Sequence, residues 1–460
     1  MYFKKRYFMK SRYINWLFAA LLLLGFSSCD KFLDIRPTGK VIAETGEEYR
    51  ALLTYEYKNF PEDRGLASFR SDEMNLTSSS TSTEDYSSFF DIWAWNDNSA
   101  QGTTASFGWR RYYHAIYVAN TIIANDGKMT NFSTADNNQL VGEAYMMRAY
   151  CHFLLANLYA EPYTKVKPDT TRGVPLSLEA DVNAVLTNSS LAQVYAQVES
   201  DIDKAYSLMN KDSWSQGFNY RFNKISAQAL KARVELYKGN WSGALQAAQS
   251  VITAHPALQD LTVSSPTLPN SYKSDESIVS LEQVMTATYA RAGQVADDLL
   301  SLYKVGDYRY DYYYNQLTAS VTTVSKGGGG DYRSTFRSAE FYLIAAEASA
   351  QLGDLTTAKT YLKQLMAKRY MASLYPQYAS DVDALSQEDL ISYIADERLR
   401  EFAFEGHRWF DLRRTTRPAM QRTYNGNTYQ LNANDSRYTL RFPTEAIEAN
   451  PDLARWNPNK

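Results

Sequence analysis

Apolar residues recur along most of this chain at the three- and four-residue intervals of an α-helix. Trp109, Tyr113, Ile116 and Asn120 are separated by four, three and four positions, which puts them on one helical face, and Ile122 and Ile123 continue the turn. The same period predicts helices over 141–159, 191–209, 226–237, 242–254, 338–352, 355–368 and 388–404. The chain is therefore expected to be mainly α, about half helix.

Two of the predicted helix pairs resemble each other. Near 226–256, Gly239 ends one helix, Ala244 lies where a second must pack closely against it, and Pro256 stops that second helix. Near 338–368, Gly353 and Ala358 repeat the five-residue spacing. A glycine for the tight turn and a small residue for close approach resemble a tetratricopeptide hairpin. The copies lie 114 residues apart, which predicts a helical scaffold carrying large irregular insertions and a few short strands rather than a regular solenoid.

The first forty residues read as an address. Lys4, Lys5, Arg6, Lys10 and Arg12 precede an apolar run from Trp16 to Phe26, too short to span a bilayer and suited to a secretory signal over 1–28. Ser27 and Ser28 lead into Cys29, an ending that resembles a bacterial lipobox and makes Cys29 the expected lipidation site. Residues 29–40 hold Pro37 and Gly39 and read as an extended tether to a single domain over 41–460.

Composition changes this picture in two respects. Removing 1–28 leaves 43 basic against 51 acidic residues, a net charge of −8, which argues against nucleic acid as a partner. Tyr is abundant, with 36 among 64 aromatic residues, so rings carrying a polar handle are available for either core or site. Cys151 is the only cysteine besides Cys29 and reads as a small core residue. The four histidines are too dispersed for a zinc site, and the Gly tract 327–330 lacks the flanking residues of a phosphate cradle. No cofactor is expected; Asp and Asn between 70 and 98 can in principle ligate Ca²⁺ but lack a regular spacing.

The segment E-R-L-R-E-F-A-F-E-G-H-R-W-F-D-L-R-R, Glu397 to Arg414, resembles the signature of the SusD/RagB family of Bacteroidetes outer-membrane lipoproteins. Other segments follow in the family's order: F-L-D-I-R-P-T-G-K after Cys29, R-A-Y-C-H-F-L-L-A-N-L-Y at 148–159, G-D-Y-R at 306–309 and F-P-T-E-A-I-E-A-N-P at 442–451. Its spacing places Glu397, Glu401 and Glu405 where helical neighbours can pair, so the signature reads physically as an ion-pair and aromatic clamp rather than a site. The resemblance implies a surface glycan-binding lid of a SusC-like TonB-dependent transporter, with binding rather than bond cleavage as its activity. A peptide-binding lid, a surface glycoside hydrolase and a protein-binding scaffold are the alternatives.

A sugar offers apolar C–H faces and hydroxyl rims, so its site needs flat rings beside hydrogen-bonding groups. The insertion near 66–108 supplies Arg70, Asp72 and Glu73, a Ser/Thr run at 77–83, and then Trp93, Trp95, Asn96, Asp97 and Asn98. In an extended loop the two indoles face the same way, next to the amides. The second insertion, near 257–335, contains Tyr289 and Arg291, in a region where the resemblance implies site residues. It also holds the alternating Tyr308, Tyr310, Tyr312 and Tyr314, which a strand would place on one face.

Overall fold

Among the described residues the helical period is realised in ten helices of more than nine residues: α1 (Gly46–Lys58), α2 (Thr83–Trp93), α3 (Trp109–Ala124), α4 (Thr134–Tyr159), α5 (Leu191–Leu208), α6 (Lys224–Lys238), α7 (Trp241–Ala254), α8 (Ser338–Gln351), α9 (Leu355–Met366) and α10 (Gln387–Phe402). The computed structural model describes residues 43–76, 83–97, 105–319, 321–327 and 331–456. The signal, Cys29 and the tether lie outside these residues, as do Asn98, most of the Ser/Thr run and Gly328 to Gly330. Among the described residues no helix is long and apolar enough to cross a membrane.

Helix ends follow side-chain chemistry. Thr45 caps α1 in a reciprocal box with Glu48, and Ser133 accepts from the Asp136 amide to start α4 about two turns before its apolar pattern begins. Gly239 (φ 71°) and Gly353 (φ 83°) take the left-handed conformation that closes the two hairpins, α6–α7 and α8–α9. Ala244 and Ala358 are completely buried at the close approaches.

The helices from α3 to α9 pack each on its successor. Although 83 residues separate α7 from α8, the two hairpins are neighbours, because α7 turns a small-residue face, Ala244, Ala247 and Ala248, inward and α8 is buried along nearly its whole length. The stack is thus continuous, and the insertion between the hairpins loops out of it. Strands are short and occur in two-stranded antiparallel pairs.

The two insertions meet in a second core. Strand Met74–Leu76 pairs with Gly293–Val295, and a Cβ on Gly293 would stand 2.4 Å from the Met74 sulfur, so glycine permits the close pairing. Phe69, Phe89, Trp93, Met285, Tyr313, Tyr314 and Phe404 are buried together there.

The segment carrying the alternating tyrosines differs from the strand expected. It forms a short helix, Tyr308–Tyr313, and only then a strand, Tyr314–Thr318. The Asp307 carboxylate accepts from the Arg309 amide at its start, and Arg309 and Tyr313, four apart, share its buried face.

Candidate functional site: a tyrosine-lined groove

The signature residues form a buried charge cluster. Glu401 accepts from Arg337 (2.7 Å), Arg369 (2.8 Å) and Arg309 (3.0 Å). Glu405 takes Arg337 and Lys326, Glu276 takes Arg337 and Arg369, Glu397 takes Arg309 and Arg400, and Asp307 takes Arg309. Five cations thus face five carboxylates, all within the protein interior. Although burial opposes ionisation, the surrounding guanidinium groups hold Glu397, Glu401 and Glu405 below the usual carboxylate range. Every donor fork meets a carboxylate, so the cluster is a clamp and leaves no group free to meet a ligand.

The residues expected to bind ligand in the first insertion are largely tied into this interior. Trp93 ends helix α2 instead of lying in an extended loop, and Trp95 adopts φ 55° in the turn that follows; both indoles are 1% exposed. Arg422, from the hairpin Met420–Tyr424/Asn427–Leu431, lies over both rings, and Tyr424 and Tyr429 pack against Trp93. The Trp95 Nε1 donates to the Arg70 carbonyl at 2.9 Å. Arg70 is paired with Asp97 at 2.6 Å, Asp72 with Arg408 at 2.7 Å, and Glu73 accepts from the Phe404 amide at 2.9 Å. Burial pushes the Glu73 carboxyl up to about 7. The two indoles therefore do not form the exposed platform expected, because the distant hairpin supplies their cover.

The remaining candidates are spread out. Asn96 and Arg291 are exposed, and Tyr289 and Tyr312 are half-buried. Tyr289 packs edge-on against Phe69 and Phe89, Tyr312 stacks on Tyr308, and Tyr314 is buried with its hydroxyl 2.7 Å from that of Tyr303. Asp72 lines a polar cleft of about 470 Å³ with Asn75, Asp297, Asp298, Gln421 and Arg422. Among the described residues no group of three or more His, Cys, Asp or Glu is placed to hold a metal ion.

A different set of tyrosines converges on open space. A groove of about 480 Å³ is lined by Tyr57 and Lys58 at the end of α1, Asn219 and Tyr220 from the loop before α6, Tyr272 and Ser280 around strand Ser277–Val279, and Asp331 and Tyr332. The volume lies within the usual range of small-molecule sites. Tyr57 is the floor. Its hydroxyl donates to Glu143 at 3.0 Å and accepts from the Phe222 amide at 3.2 Å, while its ring meets Tyr220 edge-on at 5.6 Å. Burial and the neighbouring Glu143 raise the Tyr57 phenol, keeping it a donor. Glu143 is in turn fixed by both guanidinium nitrogens of Arg50, at 2.6 and 3.0 Å, and by Gln139.

The walls are joined through Asn219. Its side-chain amide donates to the Tyr272 carbonyl at 2.8 Å, and its own carbonyl accepts from the Ser280 amide at 2.8 Å. Tyr332 donates to the Lys58 carbonyl at 3.2 Å, which ties the far wall to α1. Tyr220, Tyr272 and Tyr332 are half-buried, leaving part of each side chain accessible. Flat apolar faces beside an amide, hydroxyls, an ammonium and a carboxylate can stack on a ring that carries hydroxyl groups and hydrogen-bond its rim.

Tyr57 continues the buried helical stripe of Tyr49 and Leu53, while Tyr220, Tyr272 and Tyr332 lie in loops outside any helical or strand period. The local signal is a repeated tripeptide of polar residue, Tyr and cation: Asn219-Tyr220-Arg221, Ser271-Tyr272-Lys273 and Asp331-Tyr332-Arg333.

Comparison with known proteins places this architecture. Residues 270–459 match the model of the SusD family, and residues 31–236 match a model described as starch-binding, associating with outer membrane. The SusD-like protein P38 of Formosa agariphila is 24% identical over 496 residues, covering 89% of this chain and 92% of that protein. A crystal structure of a SusD superfamily protein from Bacteroides thetaiotaomicron superposes with a TM-score of 0.73 at 22% identity, over 89% of this chain and 98% of the other. A SusD-like carbohydrate binding protein from Bacteroides vulgatus does so with 0.67 at 19% identity, over 91% and 99%. With the hairpin stack, the buried signature and the two family models in chain order, this chain belongs to the SusD family.

Proposed function

We propose that the chain is a glycan-binding lipoprotein of the outer cell surface, anchored through Cys29, which holds oligo- or polysaccharide and delivers it to a SusC-like TonB-dependent transporter. The observation that carries the binding role is the groove, in which Tyr220, Tyr272 and Tyr332 surround about 480 Å³ beside Asn219, Ser280, Lys58 and Asp331. Aromatic faces with hydrogen-bonding groups at their edges suit the alternating apolar and hydroxyl surfaces of a sugar. The carbohydrate-binding description of the structural neighbour from Bacteroides vulgatus and the starch-binding description of the matching family model support the same ligand class. The lipid anchor is supported by Ser27-Ser28-Cys29 after the apolar run, and the transporter by family membership.

Affinity electrophoresis of the mature protein against a polysaccharide panel tests the binding role. Retardation without release of reducing ends is expected, and Tyr220→Ala with Tyr272→Ala should abolish it while leaving the circular dichroism spectrum unchanged. Release of reducing ends would replace binding by hydrolysis; retardation indifferent to both substitutions would remove the groove from the site. Cys29→Ala should release the protein from the membrane fraction.

A further inference from the structure

The charge around the groove has a direction. The mature chain is acidic overall, yet each of the three loop tyrosines lining this cavity is followed by a cation: Arg221, Lys273 and Arg333. Lys58 lines the cavity itself. Lys273 Nζ lies 5.3 Å from the centroid of the Tyr272 ring. The Arg221 guanidinium sits among three rings, 5.1 Å from Trp214, 5.1 Å from Phe218 and 5.5 Å from Tyr220, and its Nε donates to the Tyr220 hydroxyl at 3.3 Å.

None of Lys58, Arg221 and Lys273 pairs with a carboxylate among the described residues, although elsewhere most arginines of this protein do. Asp331 is the carboxylate of the described lining. It is exposed and acts on Arg333, two residues along, so its charge is locally offset. An arginine held flat by aromatic faces keeps its planar donor fork ordered, which suits a carboxylate or sulfate better than a lone hydroxyl. A cationic rim on an acidic protein also draws an anionic chain to that one place.

Resting on the glycan reading of the groove, we propose that it is built for an acidic sugar. The ring of a residue bearing a carboxylate or sulfate ester lies on Tyr220 and Tyr272, and its charge meets Lys58, Arg221 and Lys273. The two sources of negative charge share this chemistry and are separable by experiment.

The test uses the mature protein and matched pairs of polysaccharides: polygalacturonate against its methyl ester, and dextran sulfate against dextran. Isothermal titration is run at low and at high salt with the parent protein, the triple variant Lys58→Gln/Arg221→Gln/Lys273→Gln, and Tyr220→Ala/Tyr272→Ala. The expected result is that one charged member binds, and that its affinity falls about tenfold both in the triple variant and at high salt, three exposed ion pairs being worth that much together. Which pair responds assigns carboxylate or sulfate. The tyrosine variant should lose that binding as well, which separates recognition from general adhesion of a polyanion.

Equal affinity for charged and uncharged partners, lost in the tyrosine variant but insensitive to salt and to the triple substitution, would overturn the acidic-sugar proposal and leave the groove standing. Binding of a charged chain that the tyrosine variant retains, or no binding to any member, would overturn the groove and the proposal together. All variants alter half-buried or exposed side chains, and an unchanged melting temperature verifies their folding.

Discussion

The family signature should govern stability and leave ligand affinity untouched, and Glu401→Gln tests both halves of that statement. The Glu401 carboxylate accepts from three buried arginines, Arg309, Arg337 and Arg369, at 2.7–3.0 Å. Glutamine keeps the volume and one acceptor but removes the charge, leaving five buried cations against four carboxylates. Breaking a buried pair by removing one partner costs about 3–5 kcal/mol, because the surviving charge is neither hydrated nor neutralised. Unfolding entropy for the unit Thr45–Lys460 is roughly 0.9 kcal/mol/K, so the melting temperature should fall by about 4 °C. Differential scanning calorimetry at pH 7 reads this directly, and titration with the glycan identified for the groove should give an unchanged Kd. Adding Arg369→Met to Glu401→Gln should recover part of the loss, since the excess cation is then gone. A drop under about 1 °C would mean that water or the neighbouring carboxylates already compensate Glu401, and the clamp reading would be wrong; a changed Kd with a preserved melting temperature would make the signature part of the site.

Trp93→Ala should destabilise by about 3–5 kcal/mol in urea unfolding, as expected for a large buried ring, instead of altering affinity in a stably folded protein. Tyr57→Phe removes the acceptor of the Phe222 amide and one donor to Glu143, so it should cost about 1–3 kcal/mol and, by loosening the loop that carries Tyr220, weaken glycan binding several-fold by titration. The pH dependence has two opposed parts. Asp411 is held at about 2 by Arg398 and Arg414 against the effect of burial, and Glu401 also lies below its ordinary range; their contribution is complete above the unfolded carboxylate range and is lost as pH falls through the folded values, so the melting temperature should drop below pH 4. Glu73 is raised to about 7 by burial, so its contribution is present in acid and lost as pH rises through 7; Glu73→Gln should therefore gain stability relative to the parent at pH 8 and lose that advantage at pH 5.

The helical scaffold is legible because its evidence is local. The three- and four-residue periods, the capping residues and the Gly–Ala spacing of each hairpin all act within about two turns, and α6 to α10 form close to where those signals put them. The spacing of Glu397 and Glu401 likewise shows two carboxylates on one face of α10, and Glu405 joins them from the turn just past its end. Their partners are invisible locally, since Arg309, Arg337 and Arg369 come from separate segments. Trp93 and Trp95 mislead for the same reason. Their neighbours are polar, which reads as exposure, but Arg422, Tyr424 and Tyr429 cover them from more than 300 residues away.

The groove shows how far a local pattern can go. Asp307-Tyr308-Arg309 and Asp331-Tyr332-Arg333 are the same tripeptide, yet Arg309 is completely buried and Arg333 is not. What separates them is the company the fold supplies: Glu397 and Glu401 of α10 reach Arg309, whereas Tyr332 of the second copy faces a cavity. Asp307, Glu397 and Glu401 together neutralise Arg309 in the interior, whereas Arg333 is half-buried with the exposed Asp331 two residues away. In the groove proposed to hold glycan, the cations left for a ligand to answer are Lys58, Arg221 and Lys273, beside Tyr220 and Tyr272.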